Sequence, residues 1–174
     1  MRLFGKRVIM LAEEGFEDLE LWYPVLRLRE EGCDVVIVGS GSQKTYRGKY
    51  GLSVTVDANI DEVTSEGFDG ILVPGGWAPD KLRRYPKVTS LVRKFFEEGK
   101  LLATICHGGW VFISAKVLKG YRMTCVNAII DDVENAGAKY VDEEVVVDRN
   151  LITSRTPKDL PAYMRAIIDY LEGV

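Results

Sequence analysis

A cysteine, the chain's one histidine, two glycine pairs and a cluster of acids fall at positions where they could do chemistry together. Cys106 follows the apolar run Leu101–Ile105, and His107, Gly108 and Gly109 follow it directly. A cysteine between a strand and a helix meets the positive end of the helix dipole and free backbone N–H groups. Both favour the thiolate, which is the nucleophile, so a lowered thiol pKa is expected. A tight strand-to-helix turn also exposes the side chain, as in a hydrolase nucleophile elbow. The alternative is a small buried hydrophobe, a common fate for a free cysteine. His107 could act as base or as imidazolium partner of the sulfur. Adjacent side chains usually diverge, so an orienting or surface histidine is the other reading.

Two further junctions carry unusual residues. Pro74-Gly75-Gly76-Trp77-Ala78-Pro79-Asp80 follows the run Ile71–Val73. Gly75 and Gly76 offer backbone N–H groups that, with the N–H of His107, could hold a developing oxyanion. An ordinary glycine turn would look the same. Asp80 could orient His107, or simply cap the helix that begins before Lys81. Glu13-Glu14-Gly15-Phe16-Glu17-Asp18 follows Val8–Leu11. A neutral Glu17 carboxyl near Cys106 could donate a hydrogen bond to a thiolate, because burial and a negative sulfur would both raise its pKa. The plainer reading is a set of acids satisfying a helix N-terminus. Gly39-Ser40-Gly41-Ser42 lacks a phosphate-loop fingerprint and reads as a turn. Cys33 and Cys125 lack the elbow setting and read as structural. With one His and no Cys-x-x-Cys pair, no metal site is expected.

The elements that would position these residues are short apolar runs alternating with amphipathic patterns. Val8–Leu11, Val35–Val38, Ile71–Val73, Leu101–Ile105, Val145–Val147 and Leu151–Ile152 are apolar on successive positions, which suits strands buried on both faces of a mostly parallel sheet. Leu21, Val25 and Leu28 share a helical face, with Trp22 and Leu26 beside it and Gly32 as a stop. Val88, Leu91, Val92, Phe95 and Phe96 form a second stripe, led by Pro86 and ended by Gly99. Trp110, Val111, Ser114, Ala115 and Leu118 form a third, closed by Gly120. Leu160, Met164, Ile167 and Leu171 form the last, with Thr156 as cap and Pro157 in the first turn. Residues 44–57 read as a short hairpin. This order predicts one α/β sandwich domain over residues 1–174, with its ligands outside the carboxyl ends of the strands. The three chemical junctions share that edge.

Composition narrows the function. The chain has 174 residues, 47% hydrophobic and 28% charged, near the average for a soluble globular protein. Its formal charge is −3 and it has no long basic run, so nucleic acid is an unexpected partner. The run Val8–Ala12 ends at Glu13-Glu14, too short for a signal-peptide core. The longest uncharged stretch, Leu101–Ala115, falls below the roughly 18 residues of a membrane span. Three cysteines fit a reducing compartment, so a cytoplasmic protein is expected.

Taken together, Ala103-Thr104-Ile105-Cys106-His107-Gly108, Val73-Pro74-Gly75-Gly76-Trp77-Ala78-Pro79-Asp80 and Gly15-Phe16-Glu17-Asp18-Leu19-Glu20 resemble the PfpI intracellular protease family. That family belongs to the superfamily that includes DJ-1 and class I glutamine amidotransferase domains. The segments 143–148 and 153–161 fit as well, so the resemblance covers nearly the whole chain. It implies a flavodoxin-like three-layer sandwich with Cys106 on the nucleophile elbow and His107 as catalytic histidine. Asp80 matches an acid that reaches this histidine from a neighbouring subunit. Glu17 matches the acid that contacts the nucleophile. Gly76 and His107 match the oxyanion donors, with Gly75, Trp77 and Gly108 around the substrate. The implied activity is cofactor-free hydrolysis of peptide bonds, or glyoxalase or deglycase action on small aldehydes such as methylglyoxal, in a homodimer or a hexamer of dimers. The chain departs from the family in having Gly108-Gly109-Trp110 after Cys-His where Gly-Pro is frequent, Asp80 where Glu is frequent, and Val126 where some members have Tyr. The alternative function is a non-enzymatic redox sensor or stress holdase in which Cys106 is oxidised.

Overall fold

The β-branched run at Arg7–Ala12 forms strand β1, buried from Val8 onward, and leads into helix α1, Asp18–Glu30. Strand β2 covers Asp34–Gly39. The hairpin expected over 44–57 is β3, Thr45–Arg47, paired antiparallel with β4, Ser53–Thr55. There follow β5 (Ala58–Asn59), β6 (Gly70–Val73), α2 (Ala78–Leu82), α3 (Pro86–Glu97) and β7 (Leu101–Ile105). Helix α4 is Gly109–Ala115, β8 is Arg122–Met123, α5 is Ile130–Asn135 and β9 is Lys139–Tyr140. The chain closes with β10 (Val145–Asp148), β11 (Leu151–Ser154) and α6 (Leu160–Glu172). This computed structural model describes residues Met1–Val174.

Seven strands form one sheet in the order β10-β11-β7-β6-β1-β2-β5. All neighbours are parallel except the β10–β11 pair. The central strands β6 and β7 are buried along their whole length, which is why their sequences carry no polar alternation. Helices cover both faces: α1 packs against α6, and α3 packs against α4. The apolar core is one contiguous cluster running through both layers. No helix is long and apolar enough to cross a membrane.

Two boundaries differ from the sequence expectation. The third helical stripe ends at Ala115, because Lys116 adopts a left-handed conformation (φ 61) and stops the helix before Leu118 and Gly120. Pro157 opens a 3-10 turn, Pro157–Asp159, and the α-helix proper begins at Leu160. The carboxyl ends of β1, β6 and β7 are adjacent, so the turns after Ala12, Val73 and Ile105 open on one edge. Two backbone hydrogen bonds stitch the turns after β1 and β6 together, Glu17 N to Gly75 O (3.1 Å) and Trp77 N to Gly15 O (2.8 Å), and Lys49 N to Phe16 O (2.8 Å) ties the β3–β4 hairpin to the first of them.

Candidate active site

Cys106 begins the 3-10 turn Cys106–Gly108 between β7 and α4 with φ 59, in the left-handed region. A non-glycine residue there stores roughly 1–2 kcal/mol of backbone strain. The strain is held by tight packing underneath. A Cβ on Gly108 would lie 1.9 Å from Thr104 Oγ1 and 2.9 Å from the Val73 carbonyl, so only glycine lets the turn close against β6. Thr104 Oγ1 donates to that carbonyl at 3.0 Å, fixing β7 to β6 just below the nucleophile.

The elbow brings several of the expected groups to the sulfur. The backbone N–H groups of His107 and Gly76 lie close enough to Cys106 Sγ to favour its ionised form. His107 Nδ1 lies 3.3 Å from Sγ, so this adjacent pair does converge. The His107 ring meets Trp110 edge-on, with centroids 5.1 Å apart. Its partial burial, helped by the charge of Lys49, lowers its pKa, which leaves the imidazole neutral and able to accept a proton near neutral pH. Gly76 has φ +79, and a Cβ there would lie 2.5 Å from both Glu17 N and the Gly15 carbonyl. Gly75 is equally confined: a Cβ would lie 2.5 Å from Glu20 Oε1 and 2.8 Å from Cys106 Cβ.

That last contact identifies the acid at the sulfur as Glu20, not Glu17. Glu17 is the N-cap of α1, and its Oε2 accepts from the Glu20 N–H at 2.8 Å. Capping chemistry claims Glu17, and the helix then carries the residue three positions on into the core. Glu20 is 1% exposed, and neither carboxyl oxygen has a protein hydrogen-bond partner of regular geometry. The group able to share a proton with it is the Cys106 thiol. Burial, followed by the negative charge of Glu17, pushes the Glu20 carboxyl up to about 8. The signal for Glu20 was present in the sequence: it lies four residues before the buried Pro24 and eight before Leu28, on the core-facing stripe of α1.

The expected net lowering of the Cys106 pKa is also corrected. Burial, followed by the charge of Glu20, raises the thiol to about 12, against the opposing pull of the His107 and Gly76 amides. The two groups titrate as a pair, and each one's ionisation opposes the other's. With the proton on Glu20, the carboxyl becomes a donor to the sulfur and its charge no longer opposes the thiolate.

Asp80 does not join this group within the chain. It lies on α2, and its Oδ2 is paired at 2.7 Å with Arg84 one helical turn on. The i, i+4 spacing of the two residues makes that capture local. Trp77 stands at the rim of the site, 58% exposed, as the N-cap residue of α2. The larger clefts are lined elsewhere. One of about 660 Å³ lies by Arg7, Asp34 and Phe68 at the opposite end of the strands. Another of about 700 Å³ lies by Arg83, Trp110 and Asp132, behind the ring that meets His107. Size therefore does not locate the chemistry. The convergence of sulfur, imidazole, carboxyl and amides does.

Comparison with known proteins gives the family. The profile of the DJ-1/PfpI family matches residues 6–170. The chain belongs to the DJ-1/PfpI family. A deglycase of Thermococcus kodakarensis is 47% identical over 165 residues, covering 95% of this chain and 99% of its own length. The protein/nucleic acid deglycase 2 of Escherichia coli is 45% identical and covers 96% of this chain and 98% of its own. A putative cysteine protease of Bacillus subtilis is 40% identical, covering 97% and 99%. Among solved structures, Drosophila melanogaster DJ-1beta superposes with a TM-score of 0.92 at 26% identity, covering 98% of this chain and 92% of its own. The Drosophila DJ-1beta structure thus shares the fold of the mostly parallel sheet and its helices.

Proposed function

We propose that the chain is a PfpI-type enzyme with Cys106 as nucleophile, acting first on reactive 2-oxoaldehydes and their early adducts. The observation that carries the reading is the nucleophile's setting. Cys106 is held at φ 59 with two amides, an imidazole and a protonatable carboxyl around one sulfur. The names of the Thermococcus and Escherichia relatives support deglycation, and that of the Bacillus relative supports peptide hydrolysis.

The sulfur attacks the aldehyde carbon and an S–C bond forms. The carbonyl π pair moves to oxygen, which takes up the proton that Cys106 and Glu20 share. The amides of Gly76 and His107 sit where charge passes from sulfur to oxygen, so they stabilise both ends of the step. His107, neutral near pH 7, removes the C1 proton and returns it at C2 through an enediol. The product is a 2-hydroxyacyl thioester, which water cleaves to a 2-hydroxy acid and free thiol. Every electron stays on the substrate carbons, so the sequence is redox-neutral. Trp77 and Gly75 wall the approach. Peptide hydrolysis would use the same nucleophile and amides, with an amine leaving in place of the carbon-bound proton shift.

His107 has no carboxylate partner within the chain, and Asp80 is held by Arg84. A second copy that places its own acid near His107 would complete a triad, which favours a homodimer or a hexamer of dimers. The three free cysteines and the absence of any disulfide fit a reducing cytoplasm. The net charge of −3 favours protein and free-carbonyl substrates over a nucleic-acid duplex. The test compares wild type with Cys106→Ala on methylglyoxal, on its N-acetylcysteine adduct and on a fluorogenic peptide. Lactate release lost in the variant supports the reading. Turnover of the peptide alone moves the enzyme to the protease class, and undiminished lactate release in Cys106→Ala removes the mechanism.

A further inference from the structure

Lys49 is an unassigned cation at the mouth of the site. Its Nζ lies 5.0 Å from the Trp77 ring centroid and 5.4 Å from that of Tyr50, and both rings are largely exposed. No carboxylate lies within ion-pairing distance of it: it forms none of the protein's salt bridges. The backbone that carries it is pinned. Asp18, 4% exposed, accepts from Tyr50 N at 2.9 Å and Leu52 N at 2.8 Å, so its carboxylate grips the tip of the β3–β4 hairpin. Gly48 allows that grip, since a Cβ there would lie 2.3 Å from Asp18 Oδ1. Lys49 N in turn donates to Phe16 O, which ties the residue to the same turn that packs on Gly76. Its charge is felt across the site: it adds to the burial that lowers the His107 pKa and opposes the burial that raises those of Glu17 and Glu20.

We propose that Lys49, framed by Trp77 and Tyr50, binds an anionic group of the substrate, so that the preferred reactants are carbonyl compounds that also carry a carboxylate. This rests on the reading of Cys106 as the reacting group. A cation stacked on two rings and lacking an acid partner is preorganised for a free carboxylate. The same acid would otherwise meet the acids at the start of α1 and the thiolate itself, so Lys49 also offsets the negative field around the nucleophile. An anionic substrate would replace the missing partner, with its carbonyl directed toward Cys106.

Two measurements test this, one of which needs no turnover. Cys106 is alkylated with iodoacetate and, separately, with iodoacetamide. In each case the sulfur displaces iodide, an S–C bond replaces the C–I bond, and peptide mass mapping reports the rate at Cys106. The same thiolate attacks both reagents, so their rate ratio cancels any change in thiol pKa. Attraction between unit charges several ångströms apart in partly aqueous surroundings is worth about tenfold. The iodoacetate-to-iodoacetamide ratio is therefore expected to fall about tenfold in Lys49→Met, to hold in Lys49→Arg, and to collapse in high salt. The second measurement compares methylglyoxal with 4,5-dioxopentanoate, a 2-oxoaldehyde bearing a carboxylate. Lys49→Met should lower kcat/KM for the acid about tenfold more than for methylglyoxal, through KM. An unchanged alkylation ratio in Lys49→Met overturns the proposal, whatever the turnover results. A changed ratio with no turnover of either dicarbonyl leaves the anion site standing and removes the aldehyde reading instead.

Discussion

Replacing Glu20 with Gln keeps the shape of the side chain and removes its charge, so the stabilities of the two forms should diverge with pH. The Glu20 carboxyl is raised to about 8 in the folded chain by burial and by Glu17, against an ordinary value of 4.5 that the unfolded chain recovers. Between those values the native state binds a proton that the unfolded state has lost. Unfolding free energy therefore falls as pH rises through the window. Integrating that difference from pH 5 to pH 8 gives a loss of about 3 kcal/mol for the wild type, and none from this group in the Gln variant. His107 works in the opposite direction below its ordinary pKa, because its folded pKa is lowered, but it is present in both forms and cancels. The carboxylates whose pKa values are lowered, such as Glu31 and Glu98, titrate below the window. The assay is guanidinium unfolding of both proteins at pH 5, 6, 7 and 8, with the difference in midpoint converted at a common m-value. The Gln variant should gain on the wild type steadily as pH rises. Parallel curves from pH 5 to 8 would mean that Glu20 is already ionised at pH 5, and the shared-proton account of the nucleophile would be wrong.

Other outcomes follow from the same geometry. Glu20→Gln should lower kcat/KM about 10²-fold at neutral pH, the usual worth of a positioned proton carrier, while Glu17→Gln should act mainly on the stability of α1. The pH profile of kcat/KM should rise on an acid limb lying below the ordinary histidine pKa, because His107 is lowered, and this is read from initial rates between pH 4 and 9. Gly75→Ala should cost about 1–3 kcal/mol in chemical unfolding and most of the activity, since the added methyl meets Glu20 and Cys106 at once. Mild peroxide should add oxygen to Cys106 before Cys33 or Cys125, because Cys106 is partly exposed and the other two are buried, and intact mass with peptide mapping checks the order. Asp80→Asn should change stability by no more than about 1 kcal/mol, as an exposed ion pair does, and should affect turnover only in an associated form, which light scattering at assay concentration would show.

The parts of this molecule that were legible from sequence are those governed by local rules. The apolar runs gave the central strands because a strand buried on both faces has no polar alternation to disguise it. Cys106 was visible because it stands between such a run and a pair of glycines. Gly75, Gly76 and Gly108 were visible because close backbone approach excludes other residues there. The errors arose where two chemistries compete for one residue. Glu17 looked like the acid at the sulfur, but an acid just before a helix is more cheaply used as its cap, and the core face then belonged to Glu20. Asp80 is a different case: within the chain Arg84, four residues on and just past the end of α2, pairs with it, and its reach to His107 of a neighbouring subunit is a question of assembly. The Cys106 pKa follows burial and the charge of Glu20 more than the turn's amides, and of these only the amides are legible from sequence. Lys49 was out of reach altogether: its place over Trp77 depends on Asp18 gripping a hairpin some thirty residues away in sequence. The segment carrying β8, α5 and β9 was also missed, because elements of two to six residues are too short to show a period.

The central claim is that one sulfur, supplied with a proton by a neighbouring carboxyl, performs the reaction. Its most direct test is the rate of lactate formation from methylglyoxal by wild type, Cys106→Ala and Glu20→Gln, each confirmed as folded by circular dichroism. The account predicts no rate above background for Cys106→Ala and a rate reduced about 10²-fold, still saturable, for Glu20→Gln. A folded Cys106→Ala protein that forms lactate at the wild-type rate would contradict it.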